Sequence, residues 1–257
     1  MDFTKLTWTP TDYAAYRNHL LSLADEGYRE FTARGVPTDR PLLGVRLPVL
    51  RDLAKQIAKG NYPAFLTYEP VSIEEILVRG FVIAGLPYDT MLANFHSHLV
   101  YLDNWETVDC YAASLKSIKS HLSDFYDQIL EPLLINPAPR ATTSTPIPTT
   151  SPVPHSTSPE FVTRLALVFL LDYYITPDYL HLIFDHCGRL ASRDEYYVRM
   201  ALAWLLAETF VAFPDETRAF LTANLLPRWT HNKTISKIRD SYRVPEDVKD
   251  DLKSLRR

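Results

Sequence analysis

The stretch Asp103-Asn104-Trp105-Glu106-Thr107-Val108-Asp109 places an aromatic ring and a carboxylate four residues apart at a predicted helix start. Asp103 and Glu106 have the spacing of a capping box, so Asp103 is the predicted N-cap and Trp105 lies in the first turn. At about 100° per residue, Trp105 and Asp109 lie roughly 120° from the apolar stripe of this helix. The pair is therefore expected off the core face. The alternative is a half-packed surface Trp beside a solvated Asp.

Helix-start signals recur along the chain, whereas strand signals do not. Only seven glycines occur, one of them beyond position 90, and the hairpin dipeptides Asn-Gly and Asp-Gly are absent. This pattern favours helices and excludes a glycine-rich phosphate loop. The predicted starts are Thr9-Pro10, Ser72 with Glu75, Ser158-Pro159, Thr176-Pro177, Ser192 with Glu195, and Pro245.

The sequence therefore predicts an all-α chain. Helical segments of about 12 to 20 residues with short breaks are typical of antiparallel helix pairs, as in a HEAT-like α-solenoid with a concave face. An irregular helical bundle is the alternative.

Residues 136–159 interrupt this pattern. Seven Pro, six Thr and four Ser make up 17 of these 24 residues, with almost no apolar bulk. Such a composition cannot bury a core and predicts a flexible loop or linker. We interpret residues 1–257 as a single HEAT-like helical array with a flexible Pro/Thr/Ser-rich insertion at 136–159. A boundary between two domains is the alternative.

The composition is that of an ordinary globular protein, with 257 residues, 46% hydrophobic and 23% charged. No apolar run approaches the ~20 residues that span a bilayer, and the N-terminus lacks a signal-peptide pattern, so a cytoplasmic location is expected. Cys110 and Cys187 form no CxxC motif and fit a reducing compartment. His96 and His98 would point apart on a helix, so no metal site is expected.

Charge is distributed unevenly, although the formal net charge is −4. Residues 34–59 carry six Lys/Arg against two Asp, residues 61–131 carry ten acids against three bases, and residues 232–257 carry eight bases against five acids. A polyanion responds to the local face rather than to the total charge. The candidate phosphate contacts are Arg46, Arg51, Lys233, Lys237 and Arg243. Solvated faces are the ordinary explanation of such charges.

Two further candidate binding residues, Arg164 and Trp204, lie on helices that are otherwise largely apolar. Arg164 lies within the apolar stretch 161–171, where a guanidinium is costly unless it meets an anion. A structural carboxylate or a phosphate ligand would satisfy it. Trp204 lies on another apolar helix, where core packing is the commoner role and a binding platform is the alternative. The predicted face of Trp204 also carries Tyr197, Met200, Ala201 and Glu208.

Together these motifs resemble the AlkD-like DNA glycosylases, the HEAT-repeat family of DNA alkylation repair enzymes, and in particular a short bacterial branch of that family. The family's Trp-x-x-x-Asp motif corresponds to Trp105 and Asp109. Its Arg on the following repeat corresponds to Arg164, and its later aromatic residue to Trp204. Residues 43–51, 196–201 and 232–244 are also similar, and the resemblance covers roughly residues 28–257 apart from the insertion.

The resemblance implies a DNA glycosylase reaction. An N3- or N7-alkylated purine is already cationic and leaves without a general acid, and cleavage produces an oxocarbenium-like sugar. Asp109 is expected to stabilise that cation and position the attacking water. Trp105 and Trp204 are expected to flank the deoxyribose, and Arg164 to hold a phosphate. The implied DNA-binding residues are Arg46, Arg51, Arg199, Lys233, Lys237 and Arg243.

The implied partner is double-stranded DNA, held on a concave face that brings positions 105, 109, 164 and 204 into one groove. No cofactor, metal, membrane or obligate protein partner is expected, and the chain is expected to be a monomer. Two other functions stay open. The first is a non-catalytic HEAT-like DNA-binding protein, which the acidic net charge of the chain supports. The second is a protein-interaction scaffold, because solenoids also present concave surfaces to peptides.

Overall fold

The computed structural model describes residues 1–137 and 158–257. Over these residues the protein is helical and contains no β-strand, which confirms the all-α class there. They form two compact units: unit 1 is built from Met1–Ile118, and unit 2 from Lys119–Pro137 and Pro159–Arg257. No helix in the described ranges is long and apolar enough to cross a bilayer.

The α-helices of unit 1 are Pro10–Ser22 (α1), Glu26–Ala33 (α2), Leu47–Lys59 (α3), Tyr62–Phe65 (α4), Ile73–Ala84 (α5), Tyr88–Leu99 (α6) and Trp105–Ala112 (α7). In unit 2, Leu122–Phe125 (α8) continues through a π-helical turn into Glu131–Ile135 (α9). The remaining α-helices are Pro159–Tyr173 (α10), Leu180–Arg189 (α11), Tyr196–Ala212 (α12), Pro214–Thr222 (α13), Arg228–Asp240 (α14) and Glu246–Leu252 (α15).

Aromatic packing forms one end of the unit 1 core. Tyr16 of α1 is fully buried, and its ring meets Trp8 edge-on with 5.8 Å between centroids. Trp8 also packs on Phe65 at 4.7 Å. These three rings join the N-terminal segment to α1 and α4, because large aromatic surfaces are strongly stabilised by burial.

The central helix of unit 1 is α5, whose residues 73–83 are all buried. It packs against both α3 and α7. The carboxylate of buried Glu74 accepts hydrogen bonds from the backbone N–H groups of residues 43–45 at 2.7 to 3.4 Å. Gly44 lies in this loop with φ of 89°, and an added Cβ would clash with the backbone oxygen of Asp25. Glycine and Glu74 together therefore define the entry into α3.

An alternating packing pattern occurs within each unit. In unit 1, α3 packs on α5 and α5 on α7, and in unit 2, α10 packs on α12 and α12 on α14. Helices α3, α5, α10 and α12 each contact the second helix along the chain more extensively than the next one. Stacked helix pairs place equivalent helices side by side in this way. The HEAT-like solenoid itself stays a prediction.

Most predicted helix starts are confirmed, namely those at Thr9-Pro10, Ser72, Pro159 and Pro245. Two are wrong by a few residues. Thr176-Pro177 lies in a turn before α11, and α12 has Glu195 rather than Ser192 as its N-cap. The Glu195 side chain pairs with Arg193 at 2.5 Å and so does not form the predicted box.

The predicted insertion at 136–159 lies largely outside the described residues, which stop at residue 137 and resume at residue 158. The flanking helices are α9, which ends at Ile135, and α10, which begins at Pro159. The single array over residues 1–257 stays a prediction.

Candidate functional site

The helix α7 begins one residue later than predicted. Asn104 is its N-cap, and the Asn104 side-chain oxygen accepts the N–H of Thr107 at 3.0 Å. The predicted N-cap Asp103 is wrong, because its carboxylate pairs with the buried guanidinium of Arg40 at 2.6 Å. Trp105 nevertheless occupies the first turn, as predicted.

Trp105 and Asp109 lie off the core face of α7, as their spacing predicted. Both side chains are half-buried, whereas the intervening residues 106–108 are buried. The indole Nε1 of Trp105 donates a hydrogen bond to the backbone oxygen of Gly35 at 2.8 Å. This bond fixes the ring against the segment that follows α2.

The acids of this stretch have different surroundings. Glu106 is buried, its Oε2 has no hydrogen-bond partner among the described residues, and burial and then Glu74 raise its pKa. Burial similarly raises the pKa of the Cys110 thiol to about 12, so the thiol is protonated at neutral pH. Asp103 is paired with Arg40, as described above. Asp109 combines partial exposure with a position one turn from Trp105, which makes it the candidate carboxylate of α7.

The two predicted cations of unit 1 lie in different places. Nη1 of Arg51 donates to Ser114 Oγ at 2.8 Å, just after the end of α7, and the guanidinium lies 4.2 Å from the Phe81 ring centroid. Arg46 instead forms an ion pair with Asp25, the N-cap of α2, at 3.0 Å. Arg51 is therefore beside the helix that carries Trp105 and Asp109, and Arg46 is already partly neutralised.

In unit 2, Arg164 is almost fully buried on α10. Its Nη1 donates to the backbone oxygen of Tyr197 at 3.3 Å, and its guanidinium carbon lies 6.0 Å from the centroid of that ring. These contacts hold the planar guanidinium at the start of α12. The apolar surroundings of Arg164 predicted that its guanidinium needs a negatively charged or polar partner. The carbonyl oxygen and the ring face of Tyr197 each present partial negative charge to it.

A half-exposed stripe runs along α12. It includes Tyr197, Met200, Trp204 and Glu208. Arg164 contacts Tyr197 at one end of the stripe, and Glu208 at the other end accepts hydrogen bonds from Arg243 Nη2 at 2.7 and 2.8 Å. Residues three, four and seven apart share a helix face, so Trp204 lies between these two cation contacts. These four residues belong to the predicted face, whose fifth member, Ala201, is buried. The Trp204 side chain is only partly packed.

Two lysines of α14 add positive charge to this region. The side-chain ammonium groups of Lys233 and Lys237 form no hydrogen bond or ion pair with the described part of the chain, and Lys237 is half-buried. Burial lowers the pKa of Lys237 most, and the nearby cations Lys233 and Arg164 lower it further, against the opposing effects of Asp240 and Glu208. Cations gathered in this way favour a bound anion.

The structure therefore forms two groups of predicted residues. Unit 1 brings together Trp105, Asp109 and Arg51, and unit 2 brings together Arg164, Trp204, Lys233, Lys237 and Arg243. Arg46 lies apart at α2, and Arg199 stacks on the Trp229 ring, 4.2 Å from its centroid. Convergence of the two groups on one groove stays a prediction.

Sequence reasoning missed the residues that orient these side chains. Gly35 acts through its backbone oxygen, which any residue type supplies, so no sequence pattern marks it. Tyr197 was predicted on the face of Trp204, but its contact with Arg164 was not. Ser114 orients Arg51 and could have been found only as a small polar residue after a helix end.

The described residues define an all-helical protein with a Trp and Asp pair on one unit and a cationic, aromatic stripe on the other. Residues 16–133 match the family model described as "DNA alkylation repair enzyme". The match includes α7 with Trp105 and Asp109, and it confirms over that range the resemblance to the DNA alkylation repair family. It begins at residue 16 rather than 28 and ends before Arg164. No curated protein matches the chain.

Proposed function

We propose that the protein is a DNA-alkylpurine N-glycosylase, which binds duplex DNA and hydrolyses the N-glycosidic bond of cationic N3- or N7-alkylated purines. One observation carries the proposal: Trp105 and Asp109 lie half-exposed one turn apart on α7, inside the stretch that matches DNA alkylation repair enzymes. The hydrogen bond to Gly35 fixes the ring, so the carboxylate has an aromatic neighbour of defined orientation.

The main requirement of this reaction is a negative charge held close to the sugar. The alkylated base carries a positive charge and departs neutral when the C1′–N bond breaks, so no general acid is needed. Positive charge moves to the sugar, where a fixed carboxylate and an aromatic π-face stabilise it. Water then adds at C1′ and releases a proton. In this proposal Asp109 stabilises the sugar cation and orients that water, and Trp105 contacts the deoxyribose.

Unit 2 supplies the phosphate contacts. The Arg164 guanidinium is already oriented by Tyr197, so it loses little conformational freedom when it binds a phosphate. Lys233 and Lys237 add charge and form no ion pair with a described residue, and Trp204 offers a partly exposed ring on the same unit. Affinity for the duplex then depends mainly on backbone phosphates.

A second function is favoured by the cationic group of unit 2, which needs no reacting carboxylate in order to bind a duplex. The family match ends at residue 133, before Arg164 and Trp204, and so does not cover this group. A protein with the cationic group of unit 2 and an inactive α7 would bind duplex DNA without releasing bases. The same experiment separates the two functions.

The test is the release of 7-methylguanine and 3-methyladenine from methylated duplex DNA, measured by chromatography. Wild-type protein is expected to release at least one of these bases. Asp109→Asn is expected to reduce the rate by about 10²-fold or more, because a charged group that acts in the transition state is lost. It should bind the duplex at least as tightly as wild type, since it removes a negative charge near the DNA.

The matched control is Asp89→Asn, the same change at an exposed acid in the first turn of α6, which should release bases like wild type. Equal release by Asp109→Asn would contradict the assignment of Asp109. Duplex binding by wild type without any base release would favour the non-catalytic function.

A further inference from the structure

We propose that unit 2 contains a second nucleic-acid site, a pocket that binds a nucleotide of unpaired, single-stranded DNA. A cavity of about 450 Å³ opens beside the first half of α14, a size within the range of small-ligand sites. We call it the α14 pocket. It is lined by Arg228, Trp229, Asn232, Lys233, Ser236 and Arg256. The inference shares with the proposed function the assumption that the polyanion is DNA and one cation, Lys233.

The lining of the α14 pocket is positively charged. Arg228, Lys233 and Arg256 contribute three cations, and no carboxylate side chain occurs among its described lining residues. Lys233 has no ion pair with any described residue. The Asn232 amide donates one N–H to the backbone oxygen of Arg257 and keeps a second N–H for a phosphate oxygen, whereas the Ser236 hydroxyl donates to the backbone oxygen of Asn232. A compact set of cations and neutral donors without an acid is suited to a phosphate group.

Hydrogen bonds hold the pocket in shape. Nε of Arg228 donates to the backbone oxygen of Arg257 at 2.7 Å, and the side-chain oxygen of Asn232 accepts the Arg257 N–H at 3.0 Å. Nη1 of Arg256 donates to Ser236 Oγ at 3.3 Å. These bonds orient the guanidinium groups of Arg228 and Arg256, and neither bond is to an acidic side chain.

The aromatic rings distinguish this pocket from a simple phosphate site. Trp229 is 37% exposed and Tyr196 is 53% exposed, with 6.0 Å between their ring centroids. The Arg199 guanidinium lies over the Trp229 ring, at 4.2 Å from its centroid. Exposed rings beside cations form the platform on which bases stack in proteins that bind single strands. A paired base is already stacked on both faces, so this platform favours an unpaired nucleotide.

The test compares two labelled strands of about 10 nucleotides, a typical single-strand site size. One is oligothymidylate, and the other is an abasic strand with the same number of phosphates. The full chain is expected to bind oligothymidylate more tightly. Trp229→Ala should lose about 5- to 150-fold in affinity for oligothymidylate and little for the abasic strand, because stacking on one ring is removed.

Further variants separate stacking from charge. Trp229→Phe keeps a ring and should keep most of the preference for oligothymidylate. Arg228→Ala, at an exposed side chain, should weaken binding of both strands and lower the slope of log K against log salt by about 1. Lys253→Ala, an exposed cation elsewhere in unit 2, is the matched control and should bind both strands like wild type.

Equal affinity of wild type for the two strands, or unchanged binding by both Trp229→Ala and Arg228→Ala, would overturn the inference. The readout is independent of base release. Base release from alkylated duplex without single-strand binding would contradict this inference alone, and single-strand binding without base release would contradict the glycosylase assignment alone.

Discussion

The two units hold their candidate residues in different ways. In unit 1, Trp105 is bonded to the backbone at Gly35, and the neighbouring helix α5 fixes the loop into α3 through buried Glu74. In unit 2, lysines on α14 and a stripe on α12 present charge and rings with few direct bonds. A reacting carboxylate requires accurate placement, because small errors in geometry slow a reaction strongly. Phosphate binding tolerates long, mobile cations, because it depends mainly on charge.

The largest expected difference between the units is in the stability lost when a carboxylate that accepts backbone hydrogen bonds is removed. The two carboxylates are buried Glu74 of unit 1 and half-buried Glu160 of unit 2. Glu74→Ala leaves the N–H groups of residues 43–45 without their acceptor and should lower the free energy of unfolding by about 3 kcal/mol or more. Glu160→Ala removes one acceptor, for the N–H of Tyr197 at 2.7 Å, and should cost about 1 kcal/mol. Urea unfolding measures both. Equal losses would contradict the view that unit 1 is the more rigidly bonded frame.

Salt dependence of duplex binding gives the next largest contrast. Lys237→Gln should lower the slope of log K against log salt by about 1, since this lysine has no acid bonded to it among the described residues. Arg46→Gln should change the slope less, because Asp25 already neutralises part of its charge. Fluorescence anisotropy over a salt series measures both slopes. Lys5→Gln, which removes an exposed cation of unit 1, serves as control. A larger change in slope for Arg46→Gln than for Lys237→Gln would contradict the assignment of the phosphate contacts to unit 2.

The smallest expected effect is a change in the pH dependence of stability at α7. Burial, and then Glu74, raise the pKa of Glu106 above the ordinary value of 4.5. The folded state therefore holds the Glu106 proton more tightly than the unfolded chain. Its contribution to stability is complete below pH 4.5 and is lost as the pH rises through the folded pKa.

In Glu106→Gln the side chain does not titrate, so the variant does not lose this contribution as the pH rises. The unfolding free energy of the variant should therefore rise relative to that of wild type between pH 4 and pH 8. Chemical unfolding at several pH values measures the difference, with Glu160→Gln as the matched substitution in unit 2. A difference that decreased with pH would show that the buried carboxylate is stabilised in its charged form.

Sequence reasoning worked where the relevant interactions are local. The off-core position of Trp105 and Asp109 follows from helical spacing, and Ser72 forms its predicted capping box with Glu75. It failed at Asp103, because an Asp and an Asn at adjacent positions can both cap a helix. Arg40, which lies 63 residues away in sequence, pairs with Asp103 and leaves the cap to Asn104.

By itself the sequence determined the helical class, most helix starts and the face of α7 that carries the candidate carboxylate, because these depend on residues within about one turn of each other. Only the tertiary structure decided that the Trp105 indole is bonded to Gly35, 70 residues earlier, and that Arg164 is held at Tyr197. It alone also produced the α14 pocket, in which Arg256 meets Ser236. Such contacts join residues that are distant along the chain, and the packing of whole helices sets them rather than any local period.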